Sequence, residues 1–121
     1  MKILFVVNPK AGGTDHKTTI EALKKLLKVK GFDSRFYFTT GQHDEENIMR
    51  DINKVKPDRV VAAGGDGTLQ LVAKILLPYD LSMGIIPLGS ANGLATALEI
   101  PKDPLEAAEN NLESTKIRPM D

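Results

Sequence analysis

Gly64-Gly65-Asp66-Gly67-Thr68 follows the apolar run Arg59-Val60-Val61-Ala62-Ala63 and precedes an apolar, helix-like run over 69–77. The first run reads as a buried strand, so the glycines fall between a strand and a helix. Three glycines in five positions let the backbone turn tightly and come close to a ligand. Amides at a helix start favour anionic oxygens. The turn therefore reads as a phosphate cradle. Asp66 inside it repels a bare phosphate. It fits if a metal ion lies between, or if the carboxylate takes a proton from a nucleophile. That combination points to phosphoryl transfer. The plainer reading is an ordinary turn in which Thr68 caps the helix.

Outward from this turn, strand-like and helix-like runs alternate. Strands are expected over Lys2–Val7, 34–39, 59–63, 83–87 and 115–120. Helices are expected over 16–30, 45–55, 69–77, 91–98 and 103–112. The first helix carries Ile20, Leu23, Leu26 and Leu27 on one face, and Gly31 ends it. The second carries Ile48, Ile52 and Val55, and Pro78 stops the third. Strands alternating with helices imply a three-layer α/β/α fold with a mostly parallel sheet, in one domain over 1–121. The strands read as apolar throughout, as expected where both faces of a sheet are covered. Ligands of such sheets bind outside the carboxyl ends of the strands.

Two further glycine-bearing loops fall on that edge. Asn8-Pro9-Lys10-Ala11-Gly12-Gly13 follows the first strand. Its glycines approach phosphates and Lys10 adds charge, or it is a plain strand-to-helix turn. Pro87-Leu88-Gly89-Ser90-Ala91-Asn92-Gly93 follows the fourth. There Ser90 suits a phosphate oxygen and Asn92 a ligand or backbone group, or Ser90 merely caps a helix. Thr39-Thr40-Gly41 ends the second strand on the same edge, with one threonine hydroxyl as a nucleotide contact or as a helix cap before Glu45. His16 and His43 have no metal-ligand spacing and read as solvated surface. Lys24, Lys25, Lys28 and Lys30 lie opposite the first helix's apolar stripe and read as a solvated face.

The 121 residues suffice for one core. Sixteen basic and sixteen acidic residues leave no net charge, so no global field argues for nucleic acid. The six aromatics, none of them tryptophan, offer little to stack bases on. With no cysteine there is no disulfide and no thiolate metal site, which suits a cytoplasmic location. Only five apolar residues separate Lys2 from Asn8, too few for a signal-peptide core or a membrane span.

With these three loops in order, the chain resembles the nucleotide-binding N-terminal domain of the diacylglycerol kinase catalytic family. Bacterial lipid kinases and sphingosine kinases belong to that family. The middle motif is shared with NAD kinases, so the expected fold is the NAD kinase/diacylglycerol kinase-like N-terminal domain. The resemblance implies an ATP-binding domain that serves transfer of the γ-phosphate to a lipid hydroxyl, of diacylglycerol or a related lipid, with Mg²⁺. It implies that Asn8, Pro9, Lys10, Gly12, Gly13, Gly64, Gly65, Asp66, Gly67 and Thr68 hold the phosphates. Thr39, Ser90 and Asn92 would touch the nucleotide. Asp66 would organise metal or activate the acceptor. Two positions depart from the family pattern: Leu71 stands where a glutamate is usual, and Gly93 where an aspartate is usual. The resemblance also implies a second, β-rich domain beyond residue 121 that completes the lipid site. The fragment alone is then expected to show little or no lipid kinase activity. A peripheral contact with the inner membrane surface follows from a lipid substrate. The alternatives are a NAD-kinase-like phosphotransferase and a non-catalytic nucleotide-binding module.

Overall fold

A computed structural model describes residues 1–11 and 16–88. The elements run β1 (Lys2–Val7), α1 (Lys17–Val29), β2 (Asp33–Phe38), α2 (Asp44–Val55), β3 (Arg59–Gly64), α3 (Asp66–Leu76) and β4 (Ser82–Pro87). The four strands form one parallel sheet in the order β2-β1-β3-β4. The helices expected over 91–98 and 103–112 and the strand over 115–120 lie outside the described residues.

Alternation along β1 and β3 sends side chains to both faces of the sheet. Ile3, Phe5, Val7, Val61 and Ala63 pack under Ile20, Leu23 and Leu27 of α1. Leu4, Val6, Val60 and Ala62 pack under Ile48 and Ile52 of α2 and Leu69, Val72 and Leu76 of α3. The described chain is thus three layers, with α1 on one face and α2 and α3 on the other. Right-handed crossovers require this arrangement. The path leaves β1 toward β2 on one side, then crosses back past β1 to β3. The strand order therefore reverses between β1 and β3, and a crevice opens at their carboxyl ends.

Two expectations need correction. β2 is not apolar throughout: Asp33, Arg35 and Phe38 are exposed. It is the sheet's edge among the described residues, with no neighbour to cover its outer side. The third helix begins at Asp66, not at 69, with Gly65 at the N-cap position. Thr68 therefore does not cap it. Buried in the first turn, Thr68 lies against Gly64 instead.

α1 ends as its sequence suggests. Gly31 takes φ +76°, its N–H donates to the Lys28 carbonyl, and the Phe32 N–H donates to the Leu27 carbonyl. This is the paired closure that a glycine just past a helix end allows.

Candidate functional site

The carboxyl ends of the strands are tied to one another. The Asn8 N–H donates to the Ala63 carbonyl (2.9 Å), the Thr39 N–H to that of Val7 (2.8 Å), and the Leu88 N–H to that of Gly64 (3.0 Å). The loops after all four strands therefore leave the sheet from one connected edge. On that edge lies an open cleft of about 540 Å³.

Four segments line the cleft among the described residues. Asn8, Pro9 and Lys10 come from the loop after β1. Thr39, Thr40 and Gly41 come from the turn after β2, with Asp44 from α2. Gly67, Thr68 and Leu71 come from the start of α3. Of the residues expected at a site, six meet here: Asn8, Pro9, Lys10, Thr39, Gly67 and Thr68. Gly64, Gly65 and the half-buried Asp66 form the strand-to-helix junction behind Gly67 and are not part of the cleft wall. Gly12, Gly13, Ser90 and Asn92 lie outside the described residues. Thr40 and Gly41, which continue the segment begun by Thr39, also enter the wall, and so does Asp44, which was not among the expected site residues. The signal was present in the Thr40-Gly41 turn followed by an acidic first helical turn.

The two ends of the cleft differ in character. At the α3 end, the helix dipole favours an anion. Lys10 is exposed beside that end, and its N–H donates to the Asn8 side chain (3.1 Å), which shapes the loop. At the α2 end, Asp44 closes its own network. Its carboxylate accepts from the Tyr37 hydroxyl (2.7 Å), the Thr40 N–H (2.9 Å), the Gly41 N–H (2.8 Å) and the Thr40 hydroxyl (3.4 Å). Burial would raise the Asp44 pKa, but these hydrogen bonds, led by the Thr40 N–H, outweigh it and hold the carboxyl below its usual range. Burial, and then the hydrogen bond to Asp44, push the Tyr37 hydroxyl up.

The sign of the linkage follows. A depressed carboxylate contributes stability that is present above its unfolded pKa and is lost as pH falls through the folded one. Asp44→Asn should therefore flatten the acid limb of stability, below about pH 4. At neutral pH it should lower stability by about 1 kcal/mol, a charged hydrogen-bond contribution discounted for partial exposure. Urea melts of the two proteins across pH 3–7 check both. Parallel acid limbs would refute the assignment.

His16 departs from expectation. It is half-buried at the start of α1, with ring Nε2 2.9 Å from the Ala11 carbonyl oxygen. Its N–H also donates to the Pro9 carbonyl (3.1 Å). It ties the loop after β1 to α1 and is not free surface. His43 is exposed, as expected. Among the described residues no three His, Cys, Asp or Glu side chains gather into a metal site.

The chain is similar to known proteins over most of its length. The model of the diacylglycerol kinase catalytic domain family matches residues 2–121. A diacylglycerol kinase of Bacillus subtilis is 29% identical over 119 residues, covering 97% of this chain and 39% of that protein. A probable YegS-like lipid kinase of Pectobacterium atrosepticum is 35% identical over 104 residues, covering 83% of this chain and 34% of that protein. The crystal structure of a diacylglycerol kinase from Bacillus anthracis superposes with a TM-score of 0.75 at 32% identity, over 89% of this chain and 38% of that one. The chain thus spans well under half the length of the relatives it matches.

Proposed function

Because the chain belongs to the diacylglycerol kinase catalytic domain family, we propose that its cleft binds ATP for transfer of the γ-phosphate to a lipid hydroxyl. The observation that carries this is the meeting of Lys10 with the start of α3, at Gly67 and Thr68, in one open cleft. Phosphoryl transfer depends mostly on positioning and charge neutralisation. An ammonium, first-turn amides and the Thr68 hydroxyl provide both. The α3 end would take the phosphate chain, because among the described residues the carboxylate in the cleft wall, Asp44, lies at the α2 end.

Mg²⁺ fits this donor set as an ion carried on the nucleotide. Such ions are usually held by one or two carboxylates together with substrate phosphates. Asp66, next to Gly67 in the first turn of α3 and behind the cleft wall, would hold it there. The bound ion would neutralise charge on the phosphates. Asp66 would then steady the ion or accept the proton of the attacking hydroxyl.

The lipid acceptor, diacylglycerol or a relative, would be completed by chain beyond residue 121. Little or no lipid phosphorylation is expected of residues 1–121 alone. A lipid substrate places the protein at the inner membrane surface, in peripheral contact. No helix among the described residues is long and apolar enough to cross a membrane.

Calorimetric titration of MgATP tests this reading. Nucleotide at about 100 times its Kd should stabilise the chain by about 2.7 kcal/mol. Lys10→Ala should weaken binding by roughly tenfold, the scale of one charged hydrogen bond. Lack of binding at millimolar MgATP, both here and in a protein of the relatives' full length, would overturn the proposal. Leu71 in the cleft wall favours a second reading, a nucleotide-binding module without turnover. Lipid phosphorylation by the full-length protein would dismiss it.

A further inference from the structure

The half-buried Asp44 carboxylate in the cleft wall is filled unevenly. Its Oδ1 accepts from the Tyr37 hydroxyl (2.7 Å) and the Thr40 N–H (2.9 Å), with the Thr40 hydroxyl at 3.4 Å. Its Oδ2 accepts from the Gly41 N–H (2.8 Å). A carboxylate oxygen has about two acceptor sites. Among the described residues, Oδ2 therefore keeps one acceptor site for a ligand. The bonds already made hold the group in place for it. Two of them come from the backbone of the turn after β2, and the Tyr37 hydroxyl is itself held by the Asn47 amide (3.3 Å).

The chemistry of this site selects its ligand group. Burial would raise the Asp44 pKa, but the hydrogen bonds keep the carboxyl below its usual range, so it is ionised at neutral pH and accepts only. It repels a phosphate and needs a neutral or cationic donor. In a nucleoside triphosphate the sugar, a neutral group with two adjacent hydroxyls, joins the phosphates to the base. The topology sets Asp44 beside the phosphate end of the cleft. β2 pairs with β1, and the Thr39 N–H on the Val7 carbonyl brings the turn after β2 next to the loop that carries Lys10. In open parallel sheets that bind dinucleotides, an acidic residue further along the βαβ unit opened by the phosphate-binding turn takes a ribose hydroxyl. β1, α1 and β2 form such a unit here, and Asp44 follows it.

On the reading that the cleft takes a nucleoside triphosphate, we propose that Asp44 is its ribose-binding residue, with Oδ2 accepting from one of the two ribose hydroxyls. The cleft then distinguishes ribonucleotides from deoxyribonucleotides, and the turn at Thr40 and Gly41 serves to aim the carboxylate.

The test is calorimetric titration of this chain, and of a protein of the relatives' full length, with the magnesium salts of ATP, 2′-deoxy-ATP, 3′-deoxy-ATP and inosine triphosphate. One of the two deoxynucleotides should bind roughly tenfold more weakly than ATP, the scale of one hydrogen bond to a charged group. Deoxynucleotides that both bind as ATP does overturn the proposal while leaving the cleft a nucleotide site. If inosine triphosphate alone is weakened, the donor that Asp44 meets is the base's amino group and not the sugar. Binding by none of the four to either protein overturns the reading of the cleft itself. Asp44→Asn separates recognition from support of the turn. Charge-assisted hydrogen bonds are about twice as strong as neutral ones, so the ratio of ATP to deoxynucleotide affinity should fall to about threefold. A carboxylate that merely shapes the turn would weaken ATP and the deoxynucleotides alike, and an unchanged ratio would overturn the proposal.

Discussion

Gly64→Ala is expected to destabilise the chain by about 1–3 kcal/mol, the range for overpacking a well-filled core. A methyl group built at Gly64 falls 2.6 Å from the Thr68 Oγ1, 2.8 Å from its Cβ and 3.1 Å from its Cγ2. Rotating the threonine moves the first and third contacts but not the second, because Cβ lies on the rotation axis. Relief therefore requires the backbone of α3 to move away from the end of β3. Thr68 is buried and the helix packs Leu69, Val72 and Leu76 against the sheet, so that movement opens the core. It also displaces Gly67 and Thr68 in the cleft wall, and MgATP binding should fall even where the variant still folds. Urea denaturation reads the first effect and calorimetry the second. Adding Thr68→Ala should recover only part of the loss, since its Cβ stays in place. Thr68→Gly should recover more, less about 1 kcal/mol for a glycine within a helix. A Gly64→Ala protein as stable as its parent would show that the strand-to-helix junction is looser than described.

The same junction shows where the sequence could and could not be read. β1 and β3 were legible because each is a continuous apolar run, and burial on both faces leaves no other use for it. The faces of α1 and α2 were legible from apolar spacing, down to Ile20, Leu23, Ile48 and Ile52. The start of α3 was not. Gly65, Asp66 and Gly67 have weak helix propensity, and the helix they open is held by packing, of Thr68 onto Gly64 and of Leu69 and Val72 onto the sheet. Lys10 and Thr68 were found because they stand in glycine-bearing loops at strand ends. Asp44 and His16 were missed because what each does depends on a backbone group across a turn or loop. Asp44 meets the amides of Thr40 and Gly41, and His16 meets the carbonyl of Ala11. Spacing of apolar residues carries no trace of such contacts.

Asp66→Asn is expected to shift nucleotide binding in opposite directions with and without metal. Asp66 follows Gly65 and precedes Gly67 at the start of α3, where the proposed phosphates arrive. Two unit charges at about 4 Å repel by about 4 kcal/mol under the effective dielectric near a protein surface. Free ATP should therefore bind more tightly to the asparagine protein, which lacks the negative charge. With Mg²⁺ between carboxylate and phosphates the sign reverses, and MgATP should bind more weakly. Titrations in excess magnesium and in chelator read the two arms. A residue that only supports the fold would weaken both, so shifts of one sign would refute a role in holding metal. In a protein of the relatives' full length the same substitution should lower the rate of lipid phosphorylation by about 10²–10⁴, the range for a lost general base. If Asp66 serves as that base alone, the rate falls while MgATP binding stays level. Full activity in the asparagine protein would leave Asp66 no part in the chemistry, and the charge in the glycine turn would need another explanation.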